Sequence, residues 1–257
     1  MTDLALRPRS ASEIIDLAVR LVRRHFVGFF AIAFVGMLPG FVASALLVAI
    51  GVAPNGLASA ERVFSFVIAT LTVAVLTIYA DDALRTDAPE VGPAFARAAS
   101  RIGVVLGVSL LSFLATMVGV ILFIVPGVYI GLRLATAVPA AAVESDGVGD
   151  VLRRTWARGD GHVLHTLKVM LVFLLIVFVF IVIASVVGGV TGLVAGFAGG
   201  LAGVGVATVL ITLATLVVSA ALYPVFTTAV LLLTYDLRVR REGYDVESMA
   251  AALGAAG

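Results

Sequence analysis

From Val169 to Tyr235 the chain runs for 67 residues without one Asp, Glu, Lys or Arg. A bilayer with a hydrocarbon core of about 30 Å asks for about 20 apolar residues per helix. Inside hydrocarbon every backbone N–H and C=O must be satisfied within the segment, which selects helices for runs of this kind. Phe26 to Ala60, Val63 to Ala80 and Ile102 to Val143 repeat the pattern, the last interrupted only by turn residues and Arg133. With 61% hydrophobic and 13% charged residues, the composition excludes a soluble enzyme. There is no cysteine, so disulfides, thiolate metal sites and Cys nucleophiles are excluded as well. The sequence thus specifies an all-α membrane protein, expected as one polytopic domain over residues 1–257.

Spans are expected near residues 27–52, 63–81, 103–125, 127–144, 165–187 and 206–235. Pro126-Gly127 divides the stretch from Ile102 to Val143, which is too long for one helix, and predicts a tight hairpin there. The basic start, with Arg7, Arg9, Arg20, Arg23 and Arg24 before an apolar run containing Ala43-Ser44-Ala45, is too long for a cleaved signal and reads as leading into a retained first span.

Charge decides between two and three spans in the 67-residue run. Positive residues in short loops stay cytoplasmic. Six spans place Arg7, Arg9, Arg20, Arg23, Arg24, Arg85, Arg97, Arg101, Arg153, Arg154, Arg158, Arg238, Arg240 and Arg241 on one side and leave Arg62 on the other. A seventh span would expel the basic block after Tyr235. The expected location is a prokaryotic cytoplasmic (inner) membrane, with both termini cytoplasmic.

Between the last two spans, Gly188 to Gly205 holds eight glycines, of which Gly188, Gly192, Gly196 and Gly200 recur every fourth residue. That spacing suits close helix packing or a re-entrant helix. An external loop is the competing reading, because each helical glycine costs about 1 kcal/mol. Pro224 is expected to kink the final span.

Three amphipathic segments precede spans one, three and five. In residues 10–25, Ser10 and Glu13 have capping-box spacing, and Ile14, Ala18, Leu21 and Val22 share a face opposite Arg20, Arg23 and Arg24. Residues 93–101 carry Phe95/Ala99 with Arg97/Arg101, and residues 150–158 carry Leu152/Trp156 with Arg154/Arg158. Such helices suit an anionic leaflet, making membrane lipids the expected partner. The shared pattern also suggests three repeats of surface helix plus hairpin. The bland alternative is that basic membrane loops gather such patterns without duplication.

Arg133 is the sharpest candidate for chemistry, since a charge inside a span is costly. It could bind an anionic headgroup, or it could snorkel to the near surface and towards Tyr129, which is the preferred reading. Asp160, His162 and His165 have loose metal-ligand spacing, with His25, Glu144 or Asp146 as the only further donors. A metal site is not expected from so loose a pattern, and no cofactor is implied. Asp81 and Asp82 close span two, where they can pair with arginines or simply be hydrated. No catalytic constellation is visible, and the arginines suit the membrane surface better than nucleic acid.

Three blocks resemble the membrane domain family named after glycerophosphoryl diester phosphodiesterase, which is similar to the YciC-like inner-membrane proteins. They are Leu6-Arg7-Pro8-Arg9-Ser10 running on to Arg23-Arg24-His25-Phe26, then Val125-Pro126-Gly127-Val128-Tyr129 continuing through Arg133, Glu144 and Arg154-Thr155-Trp156, and finally Leu233-Thr234-Tyr235-Asp236-Leu237-Arg238 to Gly243. The resemblance implies a multi-spanning domain of no established activity. It adds weight to Pro126, Tyr129, Arg133, Glu144, Arg154, Trp156 and Arg238 without giving them roles. The phosphodiesterase title does not carry over, since the catalytic barrel does not fit this chain. The expected function is non-enzymatic, in envelope or lipid-related physiology, with a transporter or permease for a lipid or small amphiphile as the alternative. A protein partner or homo-oligomer stays open.

Overall fold

The computed structural model describes residues 9–49, 57–86, 88–144 and 146–254. Those residues form nine helices and no strand: α1 (Ala11–Arg24), α2 (Phe26–Ala49), α3 (Leu57–Arg85), α4 (Val91–Ser100), α5 (Ile102–Leu122), α6 (Ile124–Leu134), α7 (Ala137–Val143), α8 (Val148–Arg158) and α9 (Val163–Gly254). Six stretches among them are long and apolar enough to cross a bilayer. The chain is an integral membrane protein of the all-α class.

α1 starts where its capping box dictates. The Glu13 N–H donates to Ser10 Oγ at 3.3 Å and the Ser10 N–H donates to Glu13 Oε2 at 2.9 Å, satisfying donors that a helix start leaves open. Ile14, Ala18, Leu21 and Val22 are its buried face, as their spacing predicts. What covers that face differs from expectation. Ile14 and Ala18 pack with Val169, Phe173, Ala229, Leu232, Leu233 and Leu237 of α9, so protein occupies the face assigned to lipid. In α4 and α8 the buried pairs are Ala94/Ala98 and Val151/Thr155, one residue earlier than the patterned pairs, while Phe95 and Trp156 are exposed.

α2 and α3 form the first hairpin, its end at residues 50–52 lying outside the described residues. α3 is longer than the 63–81 expected because its polar ends continue the helix to both sides of the apolar run. Gly28, Gly36 and Gly40 face it: a Cβ at Gly28 would fall on the Tyr79 ring, one at Gly36 on the Thr72 side chain, and one at Gly40 would lie 3.3 Å from Ser65 Oγ. Small residues at this interface let the two backbones approach, and Phe29 packs edge-on against Tyr79 with centroids 4.9 Å apart.

The second hairpin turns at Phe123, extended at φ −157° and ψ 136°, and not at Pro126-Gly127. Both of those residues lie in the first turn of α6. Proline is tolerated there because its missing N–H would have had no helical acceptor. Gly127 has a different task from turning the chain, since its α-carbon lies against Gly119 and Val120 where a Cβ would collide with backbone. The fourth span is also broken, at Ala135-Thr136 between α6 and α7. Pro139 has no N–H for the Ala135 carbonyl and its ring crowds that carbonyl, which accounts for the interruption.

α9 is helical from Val163 to Gly254 yet doubles back on itself. Phe173 and Phe226 would stand about 80 Å apart in a straight helix at 1.5 Å per residue. Their rings are 5.3 Å apart at centroids, and Gly188 faces Ile211. The reversal therefore lies between Gly188 and Ile211, and the segment read as either loop or re-entrant helix continues the helical arms. Geometry bears on two of these four glycines. A Cβ at Gly188 would meet Ile211 at an ordinary 3.6 Å, and one at Gly192 would meet nothing within 4 Å among the described residues. Gly196 is partly buried, and Gly200 lies outside the residues whose side chains are described. Pro224 sits within the second arm, where the Thr227 hydroxyl donates to the carbonyls of Tyr223 and Pro224 at 3.3 and 3.1 Å.

Candidate functional site

The polar residues that flank the spans gather at one end of the bundle and hold one another. Arg85 Nε donates to both Asp81 oxygens at 2.9 Å, and the Tyr235 hydroxyl donates to Asp81 Oδ1 at 2.6 Å. One residue on, Asp236 has a side chain only 1% exposed. It accepts from Arg240 Nε at 2.7 Å, from the Arg9 backbone N–H at 2.7 Å, and faces His165 Nε2 at 3.1 Å. Arg240 Nη2 also donates to the Arg9 carbonyl at 2.7 Å. The Asp236–Arg240 pair thus grips both polar groups of the Arg9 main chain and ties the segment before α1 to the second arm of α9. A buried carboxylate needs such compensation, because removing one partner leaves a desolvated charge.

Arg133 joins this belt by a route its sequence position did not show. It is 8% exposed, its Nη2 lies 2.9 Å from Asp160 Oδ1, and its guanidinium lies 4.3 Å from the centroid of Trp156 and 5.4 Å from that of Tyr129. The two rings meet edge to face at 6.4 Å. The snorkelling reading is corrected: the charge is matched by an anion from the α8–α9 junction and by two aromatic faces. The break at Ala135 frees α6 to bring Arg133 beside Gly159, whose added Cβ would lie 3.3 Å from the Arg133 α-carbon. A neighbouring hollow of ≈500 Å³ is lined by Leu111, Ala115, Ile130, Leu134, Leu152 and Trp156, an apolar wall that Arg133 does not reach.

The remaining patterned arginines are also engaged. Arg20 pairs with Asp16, Arg97 with Asp82 and Arg154 with Asp146, while Arg101 donates to the Asp146 carbonyl at 3.5 Å. Arg158 and Glu144, each with a side chain 11% exposed, pair at 2.5 Å. Arg24 closes α1 beside Arg23. Arg97 staples α4 to the end of α3, and Arg158 staples α8 to the end of α7. A sequence reading that counted cations as free for lipid missed this. The available signal was the balance of 17 basic against 16 acidic residues, with the acids placed beside the arginines.

His162, His165 and Asp160 do not converge. The His165 ring faces Asp236, Asp160 faces Arg133, and His162 Nδ1 lies 2.9 Å from the Asp160 carbonyl. Among the described residues no group of three His, Asp or Glu side chains is arranged to hold a metal. The chain matches no family model, no curated protein and no solved structure.

Proposed function

We propose that this is a non-enzymatic protein of a prokaryotic inner membrane, with both termini and the ion-pair belt on the cytoplasmic side, serving envelope or lipid-related physiology as a braced membrane scaffold. The observation that carries this reading is the belt itself. It fastens α1, α4 and α8 to the ends of the spans, engages the carboxylates that acid–base chemistry would need, and presents a fixed polar cap on which a partner can dock. The resemblance to the membrane domain family named after glycerophosphoryl diester phosphodiesterase supports the same reading, since two of its three blocks, around Arg9 and around Tyr235-Asp236, meet in the Asp236–Arg240 grip. The test is topological. A cysteine placed at Asn55 should be modified by an impermeant reagent from outside intact cells and one placed at Gly149 should not, and the reverse pattern would sink the orientation.

A second reading, a transporter or permease for a lipid or small amphiphile, is favoured by one separate observation: two half-open pockets lie among the spans, one between α2, α3 and α9 and one between α3, α5, α7 and α9.

A further inference from the structure

Two cavities, of ≈430 and ≈300 Å³, share Ala69 and Tyr223 as a common wall. Both volumes fall within the range of about 300–1,000 Å³ typical of small-molecule sites. Their depth follows from helical rise. Tyr223 is twelve residues from the belt at Tyr235 and Ala69 twelve from Asp81, about 18 Å at 1.5 Å per residue, which is close to the middle of a core of about 30 Å.

The lining is chemically uniform. It is mostly apolar, holds no charged residue, and brings hydroxyls from Ser65, Thr72 and Tyr223 on one side and from Thr70, Ser109, Thr227 and Tyr223 on the other. Three prolines lie in or beside it, and one of them accompanies a helix break. Pro39 of α2 lies between the lining residues Gly36 and Gly40, Pro139 lines the smaller cavity beside Ala135, and Pro224 follows Tyr223. Each proline withholds an N–H from the carbonyl four residues earlier, and of the three residues bearing those carbonyls Ala135, at the break between α6 and α7, lines the smaller cavity. Phe66 and Phe226, in the wall of the smaller cavity, are exposed on the surface of the bundle.

We propose that the two cavities form one binding site, centred on Tyr223, for a neutral lipid that carries a long hydrocarbon chain and a hydroxyl-bearing head. The apolar wall takes the chain. The hydroxyls and the Ala135 carbonyl freed by Pro139 take a head that can donate as well as accept. A charged head is disfavoured because the wall offers it no counter-charge at a depth where ionised groups are costly. The site rests only on the membrane-integral reading and is independent of whether the protein braces the membrane or moves the bound molecule.

The probe is a diazirine-bearing hexadecanol, compared with the matching fatty acid and alkane, on full-length protein in nanodiscs. The alcohol should crosslink to α3 around Ala69 and to α9 around Tyr223, and monoacylglycerol should displace it. Ala69→Phe, which places a ring at the wall the two cavities share, should reduce this labelling at least about tenfold, more than one hydrogen bond's worth. Tyr223→Phe keeps the shape and should lower the preference for alcohol over alkane about fivefold, the worth of one hydrogen bond. Labelling spread evenly over the lipid-facing helices, or an alcohol preference that Tyr223→Phe leaves untouched, overturns the site. Resistance to carbonate extraction, measured on the same membranes, tests the membrane-integral reading separately.

Discussion

The α2–α3 hairpin and the two arms of α9 are both antiparallel, apolar and rich in glycine, but they are joined in opposite ways. Along α2 and α3 the glycines face Tyr79, Thr72 and Ser65, so contact continues from Gly28 to Gly40. In α9 the arms meet through Phe173 and Phe226 and are fastened at their open end by His165, Asp236 and Arg240, while a Cβ at Gly192 would meet nothing within 4 Å among the described residues. Burial follows the same division: half of the apolar stretch Arg62–Arg85 is buried inside the protein, against 12% of Val163–Phe197. Glycine at four-residue spacing therefore promises close packing only where a partner helix sets a side chain opposite it.

The largest expected effect probes the fastened end of α9. Asp236→Ala removes the acceptor of Arg240 and Arg9 and should cost roughly 3 kcal/mol, the scale of a broken buried pair. Thermal unfolding in detergent measures the loss, and hydrogen exchange should show it concentrated in α1 and the base of α9. A uniform loss that included α2–α3 would erase the contrast.

The glycine contrast itself comes next. Gly36→Leu must displace Thr72 and should destabilise by about 1–3 kcal/mol, the usual scale of overpacking, whereas Gly192→Leu should be near neutral. Equal melting temperatures for the two variants would refute the assignment of the packing face.

Arg133 sharpens the comparison with a third kind of fastening. Arg133→Met keeps apolar length and loses the contacts with Trp156 and Tyr129, for an expected cost of about 1–2 kcal/mol, limited because the Asp160 side chain is 73% exposed and rehydrates. Arg133→Lys should recover part of the loss, since an ammonium keeps the charge without the planar stack. Trp156 fluorescence during unfolding follows both. The smallest effect belongs to Arg20→Gln, whose pair with Asp16 has both side chains more than 60% exposed and should shift stability by less than about 0.5 kcal/mol.

Much of the fold was legible because its signals are local. Runs long enough to cross a bilayer, a capping box at Ser10 and the apolar face of α1 all stand in consecutive residues, and the structure contains each. Where reading failed, a local signal had two uses. Pro126 breaks a continuing helix but is tolerated in the first turn of a new one, so the reversal fell at Phe123. Pro139 did interrupt a span, as its missing N–H requires, and was read past. The belt was the least legible part, because Tyr235 reaches Asp81 across 154 positions and Arg9 reaches Asp236 across 227. No short pattern encodes such pairs.

The grip on Arg9 has a consequence for biogenesis. The ribosome makes the N-terminal segment first, but the carboxylate and guanidinium that seize it come more than two hundred residues later. At about 5–20 residues per second the wait is roughly 10 to 45 s. Throughout that interval α1 carries an amphipathic face whose permanent cover has yet to be synthesised, so the membrane surface or an insertion factor must hold it. Assembly finishes only when the last apolar helix has been delivered and its trailing polar residues return to the beginning of the chain.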